Sequence, residues 1–139
     1  MVPVHVPLVR WLHLLAMAVA VGGGALAWAT SRTADAATTR AVAHAYEPAF
    51  WLALSVLVAT GVGNLGALAP AIPRGAWSTA LLGKLALVLV VLVGSAVRTA
   101  MVWAAEPRAD ATAPLARSYA FTTAALVAVV GLGTVLAHG

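Results

Sequence analysis

The chain has 139 residues, 63% of them hydrophobic and 9% charged, with a mean hydropathy of +0.98. So little polar surface excludes a soluble globular domain of this size. The absence of cysteine excludes disulfides, thiolate catalysis and iron–sulfur or haem-thiolate ligation, and the formal charge of +4 rests on only eight Lys/Arg, most of them at the ends of apolar runs, which reads as membrane topology rather than nucleic-acid binding.

Four apolar runs, at about residues 8–30, 49–69, 77–99 and 119–137, set the organisation. Each is long enough to cross a hydrocarbon layer of about 30 Å, which takes roughly 20 helical residues. They predict an all-α, integral membrane, up-down four-helix bundle that forms one domain.

The first run, "VRWLHLLAMAVAVGGGALAWATSR", carries Arg10 and an "ALAWA" that weakly resembles a cleavage site. It is longer than a typical signal core and is expected to stay as a span. His13 sits about five residues into it, with Met17, Ala20 and Gly24 at helical spacing. An imidazole at that depth either ligates a metal or haem iron through a neutral ring nitrogen, or hydrogen-bonds a backbone carbonyl or water. Gly22, Gly23 and Gly24 strip one helix face of side chains, so that another helix or a flat cofactor can come close.

Residues 31–46 read as the first connection, and "YEPAFW" places Glu47 and Pro48 at the start of the second helix. In that helix Gly61, Gly63 and Gly66 repeat the small-residue pattern, and Asn64 is expected to make an interhelical hydrogen bond. Residues 70–76 lead into the third run, where Lys84 lies about seven residues deep. Lys84 either snorkels to the headgroups or meets a partner inside the bundle, where it falls at the depth of His13. Ser95 and Arg98 share roughly its face, and Arg98, near the inner end, reads as a topology charge. Residues 100–118 form the last connection.

Arg32, Arg40, Arg108 and Arg117, with Arg98 at the edge, outnumber Arg10, Arg74 and Lys84 on the other side, which directs both termini outward. Trp11, Trp28, Trp51, Trp77 and Trp103 all fall near run ends and read as an aromatic belt. His5 and His138 share the outer side with His13, and three imidazoles at one face suit copper or zinc. No run interior carries a carboxylate on this reading, which disfavours a proton pump or cation-coupled transporter, and no phosphate loop, serine elbow or HExxH is present.

"WLHLLAMAVAVGGGALAW" resembles the first helix of the copper resistance protein D family, and "LLGKLALVLVVLVGSAVRTA" resembles a later helix of that family. A more distant similarity runs to the HemJ-type protoporphyrinogen oxidase membrane proteins, with a His in the first helix and a Lys in this one. The resemblance implies a membrane redox or metal-handling protein of the bacterial inner membrane. His13 matches the expected haem or metal ligand, and Lys84 the lysine that assists a cofactor or substrate carboxylate. With haem b as cofactor, the contributing set is His13, Lys84, Gly23, Gly24 and Arg98. With copper, it is His13, His5 and His138. Members of the family are larger, so a four-helix chain implies a homo-oligomer or a place in a larger complex. The alternative is a non-catalytic accessory transmembrane subunit of a respiratory or redox complex.

Overall fold

A computed structural model describes residues 5–68, 75–104 and 112–138, with the side chains of residues 5–6, 64–68 and 137–138 left out. Arg74 and Arg108 lie outside the described residues, as do the side chains of His5, Asn64 and His138. Four helices follow one another: α1 (His5–Thr33), α2 (Ala36–Leu68), α3 (Ala76–Ala104) and α4 (Thr112–His138). All four are long and apolar enough to cross a membrane.

The helices outrun the apolar segments that mark them. Residues 31–46 are not a loop: α1 and α2 are separated only by Ala34 and Asp35. Asp35 caps α2, its carboxylate accepting the Thr38 N–H at 2.7 Å. The alanine-rich stretch after it is strongly helix-forming, so α2 begins a dozen residues before its apolar part. Glu47 and Pro48 therefore lie inside α2 rather than at its start. Pro48 has no N–H to offer the His44 carbonyl, a loss that a long membrane helix tolerates. The last connection shrinks likewise, with α3 running to Ala104 and α4 taking Pro114 into its first turn. Before α3, Gly75 takes a φ of +85°, which glycine adopts without a Cβ clash.

Helix α1 packs along α2 on one side and α4 on the other, and α4 packs along α3. Helices α2 and α3 pack only sparingly. Every hydrogen bond, ion pair and ring contact between them among the described residues joins residues 44–51 of α2 to residues 98–103 of α3. The core holds Ala16, Ala20 and Ala27 of α1, Tyr46, Phe50 and Leu54 of α2, Val91 and Val102 of α3, and Tyr119 and Leu126 of α4. Large apolar side chains such as Leu26, Leu52, Leu82, Leu89 and Val135 point outward, as a lipid-facing surface requires.

The tryptophans divide. Trp11 and Trp103 are exposed near helix ends, as a belt requires. Trp77, near the start of α3, donates its indole N–H to the Leu136 carbonyl at 3.2 Å. Trp51 is no belt residue: it sits near the middle of α2 and donates to Thr99 Oγ1 at 2.9 Å.

Candidate functional site

Two polar groups occupy the bundle, at different depths. One is built on α2 and α3, towards the end where α2 begins and α3 finishes. Glu47 is 1% exposed and Arg98 0% exposed, so neither is a terminal charge; both lie within the spans. Arg98 Nε donates to Glu47 Oε1 at 2.7 Å, and Nη2 donates to Oε2 at 3.3 Å. Thr99 Oγ1 donates to Oε2 at 2.5 Å, and the Tyr119 hydroxyl donates to Oε1 at 3.1 Å. Four donors around one carboxylate satisfy a buried anion, the condition on which such a group is stable in low dielectric. The guanidinium is also enclosed by aromatic faces, 4.5 Å from the Phe50 centroid, 5.0 Å from Tyr119 and 5.6 Å from Tyr46. The expectation that no run interior carries a carboxylate is corrected by Glu47.

Tyr46 explains the glycines of α1. Its hydroxyl donates to the Ala20 carbonyl at 2.6 Å, close to the midpoint of that helix. A Cβ on Gly23 would lie 2.5 Å from Tyr46 Cε2, and one on Gly24 would lie 2.6 Å from Thr123 Oγ1. The glycine face is filled by a tyrosine ring, which leaves no room there for a planar cofactor. Gly22 differs, since a Cβ on it would meet nothing within 4 Å. Arg98 Nη1, Ser95 Oγ and Thr123 Oγ1 are buried without a hydrogen-bond partner among the described residues.

The second group lies towards the end of the bundle where α1 and α3 begin and α2 and α4 finish. His13 Nδ1 is 2.6 Å from Thr60 Oγ1. The Thr60 hydroxyl already donates to the Val56 carbonyl at 2.7 Å, so it must accept from the ring. The neutral imidazole therefore carries its proton on Nδ1 and its lone pair on Nε2, a tautomer assigned from this network. Lys84 heads the inner stripe of α3, seven residues before Val91 and in line with the buried Ser95, Arg98 and Val102. Its ammonium lies beside α4, 3.4 Å from where a Cβ on Gly133 would stand.

The expected cofactor set is thus split. His13 and Lys84 lie towards one end, whereas Gly23, Gly24 and Arg98 gather around Tyr46 further along the bundle. The residues around Gly23 and Gly24 do not fit haem b. His5 is the first residue of α1 and His138 the last of α4, so the topology brings both to the His13 end. His5 precedes His13 by two helical turns, a rise of about 12 Å. Among the described residues no group of three His, Cys, Asp or Glu could hold a metal ion, and His13 is the one imidazole described at that end. Glu47 and Tyr46 were missed as core residues. Their one signal in sequence is the aromatic cluster Tyr46, Phe50 and Trp51 gathered around a carboxylate.

Comparison with protein-family models, with curated proteins and with solved structures returned no match to this chain.

Proposed function

We propose that this protein handles copper as cargo in the membrane, in the manner of the copper resistance D family that its first and third helices resemble. The observation that carries the reading is the Thr60–His13 hydrogen bond. A metal-ligating histidine is ordinarily held through its other ring nitrogen by a second group, which fixes the tautomer and aims the ligating lone pair. Thr60 serves His13 in that way, leaving Nε2 as the ligating atom. His5 and His138 begin α1 and end α4 at the same end of the helices, and Met17 offers a thioether one turn beyond His13. One described imidazole per chain is too few for a closed site, so a second copy or a larger complex completes the ligand set.

We place the chain in the bacterial inner membrane with the His13 end outward. Arg32, Arg40 and Arg117 support this orientation, lying towards the opposite end of the helices. Arg98 drops out of that count, because it is spent on Glu47.

Copper titration of the purified protein against a chromogenic Cu(I) chelator tests the reading. Retention of copper, lost in His13→Ala and weakened in Thr60→Val, is expected. Copper affinity unchanged in His13→Ala overturns it. A Soret band in the visible spectrum shifts the reading to haem, and stable co-purification of other subunits without copper shifts it to an accessory role.

A further inference from the structure

Apart from Met17, three features near α4 have no part in the copper reading. Lys84 is half-buried and stands in register with the inner stripe of α3. Its Nζ rests against the α4 backbone, 3.4 Å from where a Cβ on Gly133 would stand. No carboxylate answers it: among the described residues the one ion pair within 4.0 Å is Glu47–Arg98. An ammonium about 12 Å along its helix, by the rise of 1.5 Å per residue, is costly inside a membrane unless an anion meets it.

The third feature is a groove. Met17, Ala18, Val21 and Gly22 of α1 and Val127 and Val130 of α4 line an open, apolar channel of about 440 Å³. Its width owes to Gly22, whose missing side chain nothing else replaces. Met17 is one turn beyond His13, and Val130 is about one turn before Gly133, so the groove leads up to the level of the unanswered ammonium. An ammonium against α4 at Gly133 and an apolar groove that reaches Val130, about one turn away, match an amphiphile of net negative charge.

We propose that this side binds one anionic phospholipid of the surrounding leaflet, its phosphate on Lys84 and an acyl chain in the groove from Met17 to Val130. A zwitterionic lipid brings its own ammonium to the phosphate and is the poorer partner. The site uses neither His13 Nε2 nor copper, so it stands or falls apart from the copper reading.

Native mass spectrometry of the full chain, with phosphatidylglycerol and phosphatidylcholine offered in competition, tests it. One retained phosphatidylglycerol is expected, preferred by about fivefold, which is one lysine's share of attraction to anionic lipid. Lys84→Gln abolishes the preference and Lys84→Arg keeps it. Gly22→Phe fills the groove and lowers retention of both lipids. Circular dichroism on each variant separates loss of binding from loss of fold, and Lys84→Arg is the readout if Lys84→Gln does not fold. Unchanged preference in Lys84→Gln overturns the proposal. So does orthophosphate displacing the lipid at equal concentration, which marks a simple anion site.

Discussion

Glu47 and Arg98, 51 residues apart in sequence, meet at 2.7 Å in the bundle interior and join α2 to α3, the pair of consecutive helices that packs least. The pair is enclosed by rings and hydroxyls from α2, α3 and α4. Its removal is therefore a question of what is left behind.

Glu47→Ala leaves a buried guanidinium without its anion, and is expected to destabilise the fold by about 3–5 kcal/mol. The double variant Glu47→Leu/Arg98→Met removes both charges and regains most of that loss. Unfolding of the reconstituted protein in a detergent series measures both. A double variant as unstable as the single one refutes the claim that the unpaired charge is the penalty.

Tyr46 and the glycines beneath it give a second contrast. Gly23→Ala drives a methyl into the Tyr46 ring, and overpacking of this kind costs about 1–3 kcal/mol. Gly22→Ala, with open space before it, leaves stability unchanged or slightly raised. Tyr46→Phe gives up the bond to the Ala20 carbonyl and loses about 1 kcal/mol. Thermal unfolding of the three variants side by side should rank Gly23→Ala worst and Gly22→Ala best.

Thr60→Val keeps the shape beside His13 and removes the acceptor for Nδ1–H. Copper affinity is expected to fall by about 10–100-fold, the usual penalty for losing the group that orients a ligating histidine. Equal affinity in wild type and Thr60→Val means that the bond has no part in ligation.

Lys84→Gln acts in the opposite sense on copper. Removing a positive charge from the His13 end of the bundle relieves repulsion of an incoming cation, so on the copper reading tighter copper binding is expected in detergent without anionic lipid. Added phosphatidylglycerol narrows the difference between the variant and the wild type. Weaker copper binding in Lys84→Gln contradicts this.

Asp35 supplies the pH-dependent element outside the long apolar spans. Its carboxyl is held below the ordinary carboxylate range, chiefly by the Thr38 backbone N–H. A depressed folded-state value means that the capping contribution is present above the unfolded carboxylate pKa and is lost as pH falls through the lowered one. Carbon-13 titration of the Asp35 carboxyl should show a midpoint below that of a free aspartate, moving upward in Thr38→Pro, which lacks the N–H.

The four spans were legible because length and apolarity alone decide them. Their ends were not. Ala36, Ala37 and the threonines after them look like loop by polarity, yet alanine favours helix, and α2 continues through them beyond its apolar part. Pro48 read as a helix start because proline suits a first turn, but a membrane helix also accommodates it inside. Glu47 and Arg98 each looked like a boundary charge, since nothing in a linear sequence pairs positions so far apart. Arg98 did carry a clue, standing in register with Val91, Ser95 and Val102 on one stripe. That His13 and Lys84 fall at a similar level was readable from their equal offsets into two helices that run the same way, α1 and α3. Thr60 as the partner of His13 was not, because any of several small polar residues at that level would have served equally well on paper.

The fastening of α2 to α3 at residues 44–51 and 98–103 alone makes the bundle a clasp rather than a closed ring. Beyond the Trp51–Thr99 contact, drawing the two helices apart breaks no hydrogen bond between them among the described residues. It exchanges one apolar neighbour for another, because lipid tails replace leucine and valine at little loss. The buried ion pair is then the rivet of the clasp, set towards the end where α2 begins and α3 finishes, while the chain itself joins the two helices at the end that holds His13 and Lys84.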